Sequence, residues 1–122
     1  MILADTSVWI SHFSKSDADL TELMERGVLV LHPYVLTELA CGSLKNRERI
    51  LSDLKQIPSV EACSSKEVLL FLEQYSLFGL GLGLVDLNLL ITCKKNKLFL
   101  YTYDKALKKQ ALKLNLCAFR SE

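Results

Sequence analysis

The chain has 122 residues, of which 50% are apolar and 24% are charged, and its formal net charge is +1. This length fits one domain spanning residues 1–122, and this composition predicts a packed core and excludes global disorder. A net charge so close to zero excludes a chain that binds nucleic acid through its overall charge.

Basic residues are distributed unevenly along the chain. One cluster consists of Lys45, Arg47 and Arg49. Lys105 belongs to a longer basic run, in which Asp104 is the only acid between residues 94 and 120. Such patches suit a phosphate backbone, so these basic residues are candidates for nucleic-acid contact. Solvated helix faces are the ordinary alternative for each run.

Targeting signals and disulfides are not expected. No apolar stretch approaches the ~20 residues of a membrane-spanning helix, and the N-terminus has no signal-peptide pattern. A zinc site is not expected, because neither His12 nor His32 has zinc-ligand spacing to a cysteine. We expect reduced thiols in a cytoplasmic protein without membrane association. The cysteines form no C-x-x-C pair: Cys41, Cys63, Cys93 and Cys117.

Short apolar runs alternate with longer amphipathic segments. Strands are predicted at residues 1–4, 28–31, 60–63, 98–101 and 117–119. The first helix is expected to begin after Ser7 as its cap. Further helices are predicted at residues 17–26, 33–41, 46–56, 64–77, 84–95 and 104–114. This alternation predicts an α/β domain with a parallel sheet covered by helices on both faces.

A glycine-rich loop contains Gly79, Gly81 and Gly83. A dinucleotide-binding loop needs G-x-G-x-x-G between a strand and a helix. Here the spacing is G-x-G-x-G, and the preceding segment is predicted to be helical. We interpret the loop as a mobile connector that places Asp86.

Four carboxylates stand where such a sheet would bring them toward one edge. Asp5 directly follows the first strand and Asp104 lies just beyond the fourth, and ligands of parallel sheets bind outside the carboxyl ends of the strands. Asp86 falls in the first turn of a predicted helix, where the helix dipole favours a carboxylate. Glu38 lies mid-helix in an apolar neighbourhood, where a buried charge needs a partner.

Together these acids predict a site for Mg²⁺ or Mn²⁺, because such hard ions bind oxygen and need neither histidine nor thiolate. One ion lowers the pKa of a water, and a second stabilises the departing oxygen in an in-line displacement. Without metal the carboxylates would repel, and some would hold protons near neutral pH. Each acid also has an ordinary alternative: an Asx-turn for Asp5, helix caps for Asp86 and Asp104, and solvent exposure for Glu38.

Four stretches resemble the acidic motifs of the PIN-domain family, in particular its VapC-type toxins. They are LADTSVWI around Asp5, LTELA with Gly42 around Glu38, GLVD running into Leu89, Leu90 and Ile91 around Asp86, and LYTYDKAL around Asp104. They occur in the family's order and span nearly the whole chain. The resemblance implies a three-layer α/β/α sandwich with a central five-stranded parallel sheet.

The same resemblance implies Mg²⁺- or Mn²⁺-dependent endoribonuclease activity, with the four acids as catalytic metal ligands. Thr6 or Ser7, and Thr102, would be hydrogen-bonding groups beside two of them. Some family members carry a further acid after the fourth. Here Lys105 follows Asp104 instead, so a second metal is expected to bind weakly or only with RNA.

Partners also follow from the resemblance. VapC-type members are toxins that stop translation by cutting structured RNA. They are commonly homodimers, held inactive by a cognate antitoxin whose tail occupies the active-site groove. If this hypothesis holds, the basic residues that would contact RNA are Lys45, Arg47, Arg49 and Lys105.

Other classes fit less well. A haloacid-dehalogenase-like phosphatase needs a second aspartate two residues after the first, where this chain has Ser7. A receiver domain needs an acidic pair after the first strand and a phosphoacceptor aspartate after the third, but Ser64 and Ser65 stand there. Within the same fold, an RNA-maturation nuclease or a catalytically inert RNA-binding PIN domain is the main alternative.

Overall fold

A parallel sheet lies at the centre of the structure, a computed structural model that describes residues 1–119. These residues form three strands and seven helices. The elements are β1 (Ile2–Ala4), α1 (Thr6–Ser14), α2 (Ala18–Glu25), β2 (Leu29–Val30), α3 (Pro33–Cys41), α4 (Arg47–Leu54), α5 (Ser65–Gln74), α6 (Leu84–Asn96), β3 (Phe99–Tyr101) and α7 (Lys105–Lys113).

The strand order is β2-β1-β3, with β1 paired in parallel to both neighbours. Ile2 pairs with Leu29 on one side and with Phe99 on the other. The consecutive residues Leu3 and Ala4 of the central strand are both buried. Because consecutive strand residues point to opposite faces, both faces of the sheet are covered. The predicted α/β class with a parallel sheet is confirmed.

Each edge of this sheet adds one isolated bridge. Leu31 pairs with Ser59, and Leu100 pairs with Cys117. Within residues 1–119 the sheet therefore has three strands, where the resemblance implied five. The strand predicted at residues 60–63 is wrong, because the contact falls earlier, at Ser59. In this parallel arrangement residues 60–63 would have to pair with the residues after Leu31, but the chain there enters α3 at Pro33 and offers no extended partner. The segment at residues 117–119 likewise contributes only its bridge.

Most helices begin at the expected residues. Asp17 caps α2 by accepting from the Leu20 backbone N–H, and Ser64 forms a capping box with Glu67 at the start of α5. Pro33 occupies the first turn of α3, where its missing N–H is harmless. The glycine-rich segment between α5 and α6 forms neither helix nor strand, in line with its role as a connector. None of the described helices is long and apolar enough to cross a bilayer.

A buried polar network joins α3 to α6. The His32 side chain has no exposed surface, and its Nδ1 accepts from the Tyr34 backbone N–H at 3.0 Å. Nε2 therefore carries the proton and donates to Asn88 Oδ1, also at 3.0 Å. The Asn88 amide pairs with both backbone groups of Cys63, at 3.0 and 2.9 Å, and Thr92 Oγ1 lies 3.3 Å from His32 Nε2. The network fixes the position of α6 relative to α3, and those two helices carry Asp86 and Glu38.

Burial lowers the pKa of His32 below its ordinary value, although the hydrogen bond to Asn88 acts in the opposite direction. The unfolded chain therefore binds this proton more tightly than the folded protein. Stability from the neutral ring is fully present above the ordinary histidine value of about 6.5 and is lost as the pH falls below it.

We expect His32→Gln to lower the free energy of unfolding at pH 7.5 by about 1–3 kcal/mol, because buried partners lose their hydrogen bonds. Urea unfolding at pH 7.5, 6.5 and 5.5 measures the free energy of unfolding. As the pH falls, this free energy should decrease more steeply in the wild type than in the variant. Parallel pH profiles for the two proteins would contradict this assignment of the neutral ring.

Candidate active site

Asp5 is a buried carboxylate at the carboxyl end of the central strand. Its backbone N–H donates to the Tyr101 carbonyl at 3.0 Å, which extends the ladder by one residue, and only 4% of the residue is exposed. Oδ1 accepts from the Ser7 backbone N–H at 2.9 Å and from Ser7 Oγ at 2.5 Å. Oδ2 accepts from Thr102 Oγ1 at 2.5 Å. Burial raises the pKa of Asp5, while these hydrogen bonds from Ser7 and Thr102 act to lower it.

Asp5, and not Ser7, is the N-cap of α1. The prediction that Ser7 caps this helix is therefore wrong. The ladder keeps the backbone extended as far as Asp5, so the helix begins one residue later, at Thr6. Ser7 lies inside the first turn, and its hydroxyl accepts from the Tyr103 backbone N–H at 3.1 Å.

Glu38 lies on the exposed side of α3. The expectation of an apolar setting is wrong. Val35 and Leu39, one helical turn apart, face the core, while Glu38 turns toward solvent. Its Oε1 accepts a hydrogen bond from Thr6 Oγ1 at 2.5 Å. Glu38 therefore needs no metal to explain a buried charge, because its charge is not buried.

Asp104 and Asp86 each lie at a helix start. Asp104 is exposed and caps α7, where its Oδ1 accepts from the Leu107 backbone N–H at 2.9 Å. The Asp104 backbone N–H donates to Thr102 Oγ1 at 3.0 Å, so one threonine hydroxyl connects Asp104 with Asp5. Asp86 is half-buried in the first turn of α6, and its carboxylate accepts from the Gly83 backbone N–H.

The four acids share one electrostatic neighbourhood. Burial raises the pKa of Asp86, and the negative charge of Asp104 raises it further. The charges of Asp5 and Glu38 add to this effect, whereas the Gly83 hydrogen bond opposes it. Asp5 acts on Asp86 although 81 positions separate the two residues in the chain (86 − 5), so the fold brings distant acids close to Asp86.

These acids do not form a ready cation cage. Within residues 1–119, no three histidine, cysteine, aspartate or glutamate side chains are arranged to hold a metal ion. The donor set still fits a hard divalent cation, because it consists of carboxylate oxygens and a cation would relieve the repulsion that Asp86 experiences. Side-chain movement would be needed to bring those oxygens onto one ion.

The candidate basic residues differ in their surroundings. Lys45 is exposed before α4, and Lys105 is exposed at the start of α7, next to Asp104. The Arg47 guanidinium donates twice to the Ala40 carbonyl, at 2.9 and 3.1 Å, and so closes the end of α3. Arg49 pairs at 4.0 Å with an aspartate one turn later on α4. Lys45 and Lys105 are therefore the two whose side chains have no such contact within the described chain.

Sequence reasoning missed a cluster around Asp17. Both Tyr101 and Tyr103 donate their hydroxyls to this buried carboxylate, and the two hydroxyl oxygens lie 2.7 Å apart. Burial acts to raise the pKa of Asp17, but hydrogen bonds from Tyr103, from the Leu20 N–H and from Tyr101 lower it overall. No local pattern could reveal this contact, because Asp17 and Tyr101 are 84 residues apart.

Two cavities lie outside the acid cluster. The larger, of about 470 Å³, is lined mainly by apolar residues of α1, α2 and α4 and of the segment after α4. The smaller, of about 160 Å³, includes Thr102 and Tyr103 in its wall. None of the four acids lines either cavity. The larger cavity is therefore not where the chemistry expected of those acids would occur.

Comparisons with known proteins agree with the sequence motifs. The family model described as PIN domain matches residues 2–113. The chain is 42% identical over 109 residues to a protein named Ribonuclease VapC32 from Mycobacterium tuberculosis strain CDC 1551, covering 88% of each chain. The same figures hold for the protein of that name from strain H37Rv.

Asp86→Asn should stabilise the protein when divalent cations are removed. The raised pKa of Asp86 means that the folded state disfavours the charged carboxylate. The resulting cost in the free energy of unfolding grows as the pH rises above the ordinary aspartate pKa of 3.8. Asparagine removes the charge and keeps an acceptor for the Gly83 N–H. We expect the free energy of unfolding at pH 7 to rise by less than about 1 kcal/mol, because solvent screens the charge of a half-buried group.

Urea unfolding in chelator at pH 7 measures this gain, with the exposed Asp53→Asn as the matched control. Asp53 pairs with Arg49, so its replacement should leave stability unchanged or slightly lower. A loss of stability in Asp86→Asn would show that repulsion at Asp86 is not significant.

Proposed function

The chain belongs to the PIN-domain family, and we propose that it is an endoribonuclease, the toxin of a toxin–antitoxin system. One structural observation carries this proposal: Asp86 lies in the combined field of Asp104, Asp5 and Glu38. Four carboxylates gathered from four helices and their caps serve no evident structural purpose as a group. The similarity to Ribonuclease VapC32 supports the reaction type.

We further propose that Asp5, Glu38, Asp86 and Asp104 hold Mg²⁺ or Mn²⁺. Their oxygen-only donor set and the repulsion of Asp86 by the other three acids support this choice. When bound, such an ion neutralises charge on a phosphate and lowers the pKa of a water molecule. This activation would allow hydrolysis of an RNA phosphodiester bond.

The neighbouring hydroxyls would orient the acids. The Thr102 hydroxyl donates to the Asp5 carboxylate and accepts from the Asp104 backbone N–H. It would therefore set the spacing of these two acids, which belong to different elements. Ser7 fixes the other oxygen of Asp5, and Thr6 holds Glu38. Oriented side chains retain their geometry through a reaction with little reorganisation.

Exposed basic side chains would hold the RNA backbone. Lys105 directly follows Asp104 and is exposed at the start of α7, so it can meet a phosphate beside the acids. Lys45, Arg47 and Arg49 would form a second contact region, although Arg47 and Arg49 already have partners within the protein. Contacts of this kind make binding salt-dependent.

We propose that the protein works as a homodimer in the cytoplasm and is inhibited by an antitoxin. Leu69 and Leu70 on α5, Phe78 in the connector and Leu84 at the start of α6 are each 61–64% exposed. Apolar surface of this kind suits a protein partner. Free thiols at all four cysteines suit a reducing compartment.

Residues 1–122 would form one PIN domain, in which the segments bridging at Ser59 and Cys117 take the place of the outer strands in a five-stranded sheet. The competing functions are RNA maturation and inert RNA binding. A maturation nuclease would share the four acids but would have no antitoxin. An inert domain would have no need for all four acids.

Glu38→Gln and Asp104→Asn test the acids with little risk to the fold. Both residues are exposed, glutamine can still accept from Thr6, and asparagine is a good helix cap. We expect each variant to cleave RNA at least about 100-fold more slowly, because a neutral amide is a poor ligand for a hard cation. Asp5→Asn is less informative, because Asp5 also caps α1 and receives the Thr102 hydroxyl.

Single-turnover cleavage of a mixed RNA substrate provides the measurement, with Asp53→Asn as a control on the exposed face of α4. Circular dichroism should show equal folding of all four proteins. Wild-type rates in both Glu38→Gln and Asp104→Asn would refute the four-acid site.

Expression in a bacterial host tests the toxin role. Induced wild-type protein should arrest growth within a few generations, and Asp104→Asn should not. Co-expression of the small gene adjacent to this one should relieve the arrest. Normal growth in cells containing soluble, catalytically active protein would favour the RNA-maturation function instead.

A further inference from the structure

The smaller cavity adjoins the acid cluster through one shared residue. Its wall includes Thr102, whose hydroxyl contacts both Asp5 and the backbone of Asp104. The cavity measures about 160 Å³, whereas pockets for drug-sized ligands measure roughly 300–1,000 Å³. It therefore admits a flat fragment such as a single nucleobase and excludes a whole nucleotide.

Its aromatic walls are held in fixed positions. The rings of Tyr101 and Phe119 meet edge to face with centroids 4.6 Å apart, and those of Tyr101 and Tyr103 are 5.5 Å apart. Tyr103 is 50% exposed, yet its hydroxyl is bound to Asp17 and its backbone N–H to Ser7. An exposed ring anchored at both ends is a preformed surface for base stacking.

The polar wall combines a carboxylate with an ammonium group. Asp19 lies in the first turn of α2, and Lys108 lies on α7. Within residues 1–119 neither side chain forms an ion pair. A carboxylate only accepts hydrogen bonds and an ammonium group only donates them, so the cavity suits a base that presents both donors and acceptors.

Guanine matches this pair better than the other three bases. Its N1–H and N2–H₂ groups stand side by side and can meet both oxygens of one carboxylate, while its O6 and N7 accept from lysine. Adenine and cytosine present a single amino group, and uracil presents a single N–H. We propose that this cavity binds an unpaired guanine of the substrate RNA beside the cleaved bond, an inference that rests on the proposed ribonuclease function.

Nucleotide titration in chelator tests the cavity without any cleavage. Amide NMR spectra of the full chain should show saturable shifts at Thr102, Tyr103 and Lys108 with guanosine 5′-monophosphate. Adenosine, cytidine and uridine 5′-monophosphates, which carry the same phosphate, should bind about tenfold more weakly, since one bidentate pair gives roughly five- to hundredfold discrimination. Equal affinity for the four nucleotides, or shifts confined to other residues, would overturn the proposal.

Asp19→Asn should remove most of the preference for guanosine monophosphate and leave adenosine monophosphate binding unchanged. Glu22→Gln is the matched control, since Glu22 is an exposed acid one turn later on the same helix and outside the cavity wall. Lys108→Gln should also weaken the binding of guanosine monophosphate, and this effect should not depend on the Asp19 substitution. Undiminished preference in folded Asp19→Asn would contradict the assigned contact.

Cleavage of short RNAs that vary at one position separates this inference from the proposed function. Wild-type protein should favour guanine at one position beside the cut, and Asp19→Asn should lose that preference while still cleaving. Cleavage without any base preference would overturn the guanine subsite and leave the nuclease intact. Failure to cleave any RNA would refute the nuclease, and the nucleotide titration would still decide whether the cavity binds guanine.

Discussion

The repulsion of Asp86 by three other carboxylates is the constraint on which the proposed site depends. Asp86 is half-buried and carries the added field of Asp104, Asp5 and Glu38. In the absence of a cation, like-charge repulsion and desolvation at Asp86 both oppose folding. The proposed cation would relieve this cost by binding the four acids, which come from α3, from α6 and from the N-caps of α1 and α7.

The surrounding elements hold the acids near one another despite this repulsion. Thr102 joins Asp5 to Asp104 through a single hydroxyl. The parallel pairing of β1 with β3 places the residues that follow these two strands, among them Asp5 and Asp104, at the same edge of the sheet. The buried pairing of His32 with Asn88 connects α3 to α6, the helices that carry the other two acids. The segment after β3 also supplies Tyr103, so the proposed base cavity adjoins the proposed metal site.

Sequence alone locates those parts of the site that depend on local rules. Asp5 and Asp104 follow strands, Asp86 lies in a first turn and Asp17 begins a helix, and each of these placements follows from strand ends or helix caps. The apolar neighbours of Glu38 in the sequence predict a buried setting, but Val35 and Leu39 occupy the core-facing side of the helix and Glu38 faces solvent. The tyrosine cluster at Asp17 depends on a contact across 84 residues, which no local pattern reveals. At the two outer positions of the sheet the described residues form single bridges, at Ser59 and Cys117, because a short apolar run can form a bridge as easily as a ladder.

The proposed function requires that a divalent cation held by these acids drive RNA hydrolysis. Its most direct test is cleavage of RNA by the purified wild-type chain in Mg²⁺ or Mn²⁺, then in excess chelator, then after the ion is restored. We expect cleavage to stop in chelator and to return with either ion, while the fold stays intact throughout. Undiminished cleavage in chelator, by protein shown to be free of contaminating nuclease, would contradict the claim.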